Sequence, residues 1–107
     1  MTIPSLEELN LMHERICRSV NDPRRLQIMY ALDEEPRHVT ALAQALGIPQ
    51  SSVSRHLTIL RQRALVIAER DGAAVVYRLA DHRIIEVMEI MRQVLREGLA
   101  RQNNIVE

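Results

Sequence analysis

Apolar and polar positions along the chain fall into five helical stretches and one β-hairpin. Leu6, Leu9, His13, Ile16, Cys17 and Val20 recur at three- and four-residue steps and mark one stripe of a first helix. Ser5-Leu6-Glu7-Glu8 ahead of that stripe is a capping box, in which Ser5 takes an orphan N–H and Glu8 reaches back. Asn21-Asp22-Pro23 ends this helix and opens the next, with Asp22 as cap and Pro23 in the first turn, where its missing N–H costs nothing. Leu26, Ile28, Met29 and Leu32 are the apolar positions of the second helix, and Glu34-Glu35-Pro36 is a connector.

Thr40 is the expected cap of a short third helix, which Gly47 stops in a left-handed conformation. A fourth helix runs from about Pro49 to Arg63. Val53, Leu57 and Leu60 share a narrow arc of its wheel, while Ser51, Arg55, Thr58 and Gln62 lie opposite. Leu65 to Arg70 and Ala74 to Leu79 are β-branched, apolar runs flanking Asp71-Gly72, a hairpin signal. Asp81 then caps a long last helix carrying Ile84, Val87, Met88, Met91, Val94, Leu95 and Leu99. The expected architecture is mainly α, in the order ααααββα, as one domain over residues 1–107 with no internal repeat.

The third and fourth helices, joined by Gly47-Ile48-Pro49, match a helix-turn-helix, and the hairpin after them matches a wing. A helix that enters the major groove presents its N-terminal half. The candidate DNA-binding residues are therefore Gln50, Ser51, Ser52, Ser54 and Arg55, with Arg70 and Arg78 on the wing at residues 65–79. Gln and Arg make bidentate contacts with base edges, and wing arginines reach phosphate or the minor groove. The competing account of the serines is helix-start chemistry. His56 lies about 60 degrees from Val53 on the wheel, so it is expected to border the core and not to meet DNA.

Charge changes this picture in one respect. Fourteen Arg balance fourteen acids, and lysine is absent, so there is no generally basic coat and every fixed cation is a planar guanidinium. Arg55, Arg61, Arg63, Arg70, Arg78 and Arg83 dominate residues 50–83, whereas residues 1–35 lean acidic. Such asymmetry suggests one basic face and a different partner for the other. One cysteine, Cys17, excludes an intrachain disulfide and fits a reducing cytoplasm. No signal peptide and no apolar run of about 18 residues are visible, so a membrane partner is not expected. With Gly47, Gly72 and Gly98 as the only glycines there is no phosphate-cradling loop, no cofactor is expected, and residues 51–56 project outward from one helix instead of converging as an enzyme requires.

With these residues placed, the chain resembles the ArsR/SmtB (arsenic-repressor-like) family of winged helix-turn-helix regulators over nearly its whole length. The most specific parts are Asn21-Asp22-Pro23-Arg24-Arg25-Leu26, similar to the family's S-D-P-T-R-L junction, and Gln50-Ser51-Ser52-Val53-Ser54-Arg55-His56-Leu57, similar to S-Q-S-T-V-S-R-H-L. Val76-Tyr77-Arg78-Leu79 is a third point of agreement. The resemblance implies a homodimeric transcriptional repressor, paired through its first and last helices, that binds a near-palindromic operator of double-stranded DNA and is released by an inducer.

The chain departs from the family at its metal sites. His38-Val39-Thr40 stands where the family's Cys-Val-Cys would lie. In the last-helix site Asp81 aligns with the family's Asp, but Arg83 falls on the first His, and Val94 and Glu97 on the remaining pair. His82 is one residue out of register, a rotation of about 100 degrees on a helix. Neither site is expected to operate. His13 and Cys17, four apart on the first helix, are a candidate sensor pair, set against the simpler account that both pack within the apolar stripe. The rival to a DNA-binding repressor is a winged-helix protein–protein interaction module that does not bind DNA.

Overall fold

The structure is a computed structural model that describes residues 1–106. Helix α1 spans residues 6–20 in three parts: Leu6–Met12, a π-helical turn at His13–Cys17, and Arg18–Val20. The Ser5 side chain accepts the Glu8 N–H at 3.1 Å and opens the helix, but the expected return bond of the Glu8 carboxylate to Ser5 is not found among the described residues, so only half of the capping box forms. The π turn has no signature in the apolar spacing, and it contains both His13 and Cys17.

Helix α2 (Pro23–Glu34) starts under Asp22, whose carboxylate accepts the Arg24 N–H at 2.8 Å. Arg25, one turn in, donates to the carbonyl oxygens of Ser19 at 2.6 Å and Arg18 at 3.2 Å. The Asp22 to Arg25 junction thus caps two helices at once, with the anion at an N-terminus and the cation at a C-terminus.

A two-residue strand β1 (Arg37–His38) precedes helix α3 (Val39–Leu46) and helix α4 (Gln50–Gln62). Gly47 ends α3 at φ 66°, donating its N–H to the Ala43 oxygen at 2.9 Å. Strands β2 (Val66–Asp71) and β3 (Ala74–Leu79) form the wing, and helix α5 (Arg83–Val106) ends the described chain. Asp81 accepts the Arg83 N–H at 2.9 Å where α5 begins. The fold is the expected winged helix-turn-helix, enlarged by β1, which makes the wing a three-stranded sheet in the order β1-β3-β2.

Two local expectations are corrected. Thr40 does not cap α3: that helix already begins at Val39, because Arg37 and His38 pair with Tyr77 and Val76 and bring the strand-to-helix transition forward. Asp71 is not a hairpin loop residue, since it pairs with Ala74 and leaves Gly72-Ala73 as the loop. Positive φ occurs at Gly72 (65°) and not at Ala73, the pattern of a type II′ and not a type I′ turn.

The core joins Ile28, Met29 and Leu32 of α2 to Leu42 of α3, Val53, Leu57 and Leu60 of α4, Val66 of β2 and Ile85 of α5. It therefore holds the helix-turn-helix, the root of the wing and the start of α5 as one body. From Glu89 to Asn103 no large apolar side chain of α5 is buried, and none of Leu6–Met12 is.

Candidate nucleic-acid interface

Helix α4 is cleanly two-sided. Val53, His56, Leu57 and Leu60 are buried, whereas Gln50, Ser51, Ser54 and Arg55 are exposed and Ser52 is half-buried. The sequence-derived set thus lies together at the N-terminal half of one helix, with Ser52 at its edge. Pro49 offers no side-chain cap, and the first turn carries no acid. Ser52 and Val53 donate their N–H groups to the Pro49 oxygen, which leaves those of Gln50 and Ser51 at the positive end of the helix, a ready position for a phosphate oxygen. Thr58 donates to the Ser54 carbonyl at 2.9 Å, so its hydroxyl serves its own helix.

His56 is 9% exposed, and its Nδ1 has no hydrogen-bond partner. Burial pushes its pKa below the ordinary histidine value, against the pull of Asp22 and with help from Arg25 and Arg55. It is a neutral packing residue. Asp22, in turn, is held below the usual carboxylate range chiefly by the backbone N–H of Arg24.

The wing separates its two arginines. Arg70 pairs with Val75 in the ladder and shares a face with Val66, Ala68, Tyr77 and Leu79, the side that packs on the core. Arg78 pairs with Ile67 on the opposite face, beside Glu69. There Arg78 Nε donates to a Glu69 carboxylate oxygen at 2.7 Å. Arg70 is exposed and forms no ion pair among the described residues. Arg55 and Arg70 are thus open cations, while Arg78 must first leave Glu69.

His38, at the position of a family thiolate, has a structural role that its sequence does not show. Its Nδ1 lies 3.0 Å from the Val75 oxygen and its Nε2 3.4 Å from an Asp71 carboxylate oxygen, fastening β1 to the wing tip. Only a long-range strand pairing reveals this, and no local signal carries it. Between α3 and the wing tip lies a cleft of about 680 Å³, lined by His38, Thr40, Gln44, Val75 and Tyr77 among others.

The positions that resemble metal ligands are otherwise engaged. Arg83 clamps the Asp81 carboxylate through Nη2 at 2.7 Å and Nε at 3.1 Å, holding that carboxyl down to about 2. His82 turns to Asp33, with Nδ1 2.5 Å from its carboxylate, and that contact raises the His82 pKa. His13 is exposed and Cys17 half-buried within the π turn. Among the described residues no three His, Cys, Asp or Glu side chains cluster as a metal site. No helix of the described chain is long and apolar enough to cross a membrane.

Comparison with known proteins agrees with this geometry. Residues 22–68 match the family described as bacterial regulatory protein, arsR family. The repressor SmtB of Mycobacterium tuberculosis H37Rv is 41% identical over 73 residues, 68% of this chain and 54% of that protein. The chain thus spans about half the length of that curated relative. The crystal structure of Rv0081 from M. tuberculosis is 30% identical and superposes with a TM-score of 0.75, covering 94% of this chain and 98% of the other. The solution structure of the homodimeric winged helix-turn-helix DNA-binding domain of Mb0332 from Mycobacterium bovis is 29% identical, with a TM-score of 0.74 and coverage of 94% and 95%.

Proposed function

This chain belongs to the ArsR family of bacterial regulatory proteins, and from that premise we propose that it is a homodimeric, DNA-binding transcriptional repressor of the cytoplasm. One domain carries both DNA binding and dimerisation. Two copies pair through α1 and α5 and present their α4 helices to successive major grooves of a near-palindromic operator. Gln50, Ser51, Ser52, Ser54 and Arg55 meet base edges and flanking phosphates, and Arg70 anchors the wing. Arg78 contributes once it exchanges Glu69 for phosphate.

The observation that carries this reading is the exposed polar and cationic half of α4 set on a fully packed opposite face. The M. bovis neighbour, a homodimeric winged helix-turn-helix DNA-binding domain, supports it. The Arg83 clamp on Asp81 and the diversion of His38 to the wing support release by an inducer other than a metal at the two familiar family sites.

Selection of bound duplexes from a random pool, followed by affinity measurements across salt, tests the proposal. A recovered inverted repeat, with log affinity falling by several units per tenfold rise in salt, is the expected outcome, because each neutralised phosphate contributes about 0.9 to that slope. No enriched duplex and no salt dependence would instead indicate a protein–protein module.

A further inference from the structure

We propose that the cavity between α1, the α4–β2 junction and the start of α5 binds a small organic anion, a carboxylate on an apolar body. The cavity measures about 480 Å³, within the roughly 300–1,000 Å³ of small-molecule sites. Its walls combine two chemistries. Arg15 of α1, Arg63 of the junction and Arg83 of α5 supply guanidinium groups, and Ile16, Leu65, Ile84 and Val87 supply an apolar floor.

Among the described residues Asp81 is the only acidic side chain in the lining, and Arg83 already clamps it. Arg63 donates one N–H to the Glu14 carbonyl and keeps the rest of its fork. Arg15 makes no side-chain hydrogen bond or ion pair among the described residues. Two guanidinium forks are therefore available without a protein carboxylate to satisfy them. A planar carboxylate matches such forks bidentately. The apolar floor calls for carbon beyond that carboxylate, which an inorganic anion lacks.

The location gives the site a use. Arg63 directly follows α4, and Ala64 beside it holds φ 61°, a left-handed conformation that a side chain disfavours. That junction is kept in place by hydrogen bonds from Ala64 and Leu65 back to Arg61 and Leu60. A ligand gripping Arg15 and Arg63 ties the end of α4 to α1 and α5 and so resets α4 relative to the pairing helices. This consequence rests on the repressor reading; the site itself does not.

Calorimetric titration of the whole chain with benzoate and octanoate tests the site, with benzyl alcohol, octanol and inorganic phosphate as controls. The carboxylates should bind at least about tenfold more tightly than the matched alcohols and phosphate, the ratio expected for one lost charge-assisted contact. Arg15→Gln, at an exposed position without partners, should keep the wild-type melting curve and lose about the same factor. Arg63→Gln should lose it too, and the single Arg15 variant decides the matter if Arg63→Gln unfolds. Alcohols or phosphate binding as tightly as carboxylates, or Arg15→Gln binding unchanged, would overturn the proposal. DNA affinity is then measured with and without benzoate at constant ionic strength. Heat of binding with no effect on DNA removes the coupling alone, and a protein that binds benzoate but never DNA removes the repressor reading alone.

Discussion

The imidazole of His56 is uncharged at neutral pH because burial opposes its charged form more strongly than Asp22 attracts it. An unfolded chain takes up a proton at this residue near pH 6.5, whereas the folded chain does so only at lower pH. Between those values the unfolded state binds more protons, so the stability contributed by neutral His56 is lost as pH falls below about 6.5. His82 works in the opposite sense: its contact with Asp33 helps at low pH and fades as pH rises through its raised pKa. His82 itself is largely exposed, so the effect is correspondingly small. Urea melts from pH 7 to pH 5 should show the midpoint falling for the wild type, and His56→Gln should flatten that fall. Parallel curves for the two proteins would show that another group governs the slope. The same scale separates the arginines. Arg55→Ala should cost about 1–3 kcal/mol on the selected operator and much less on random DNA. Arg70→Ala should weaken both equally and lower the salt slope by roughly one unit. Arg78→Ala should do less than Arg70→Ala, because Glu69 already neutralises Arg78. A larger loss from Arg78→Ala than from Arg70→Ala on random DNA would reverse that order.

Each element that opens or closes on a local signal was legible in the sequence. Ser5, Asp22 and Gly47 act where their chemistry places them, because a cap or a left-handed stop is decided within four residues. The elements that depend on distant partners were not legible. Strand β1 exists only because β3 lies beside it, and that pairing displaced the start of α3 from Thr40 to Val39. The π turn at His13–Cys17 was invisible because one extra residue in a turn leaves an apolar stripe almost unchanged. In the site, the exposed face of α4 followed from period alone, but the opposite facing of Arg70 and Arg78 needed the register of the ladder. Gly47 measures how much one local signal contributes. A Cβ there would meet nothing within 4 Å, so Gly47→Ala carries only the backbone cost of a left-handed residue, about 1 kcal/mol. That should lower the thermal midpoint by about 4–8 °C with no change in oligomeric state. A loss several times larger would mean that the helix-turn-helix repacks around the substitution.

As a whole, the single chain is more extended than its length requires. Its radius of gyration is 16.6 Å, against about 13 Å for a compact domain of this size. The excess comes from α5, whose 24 residues span roughly 36 Å, and from the first part of α1, Leu6–Met12, which has no buried residue. Both carry apolar side chains that no part of the chain covers: Leu6, Leu11 and Met12 on α1, and Val87, Ile90, Met91, Val94, Leu95 and Leu99 on α5. On α5 these side chains recur at three- and four-residue steps along one face, and an exposed apolar face is rare on a monomer. In the proposed dimer, two-fold pairing of these helices would bury these side chains and set two α4 helices toward grooves about 34 Å apart. Met91 and Leu95 are 57% and 61% exposed in the single chain, so glutamate at both positions leaves the fold of one copy intact. In the pair, the same two carboxylates would be buried without partners, at roughly 3 kcal/mol or more, which weakens dimerisation at least about 100-fold. Met91→Glu/Leu95→Glu should therefore scatter light as a monomer, keep a helical circular dichroism spectrum, and bind the full palindrome no better than an operator half-site. A variant that stays dimeric would place the interface on another face, and one that loses its helical spectrum would show that α5 belongs to the fold of the single chain.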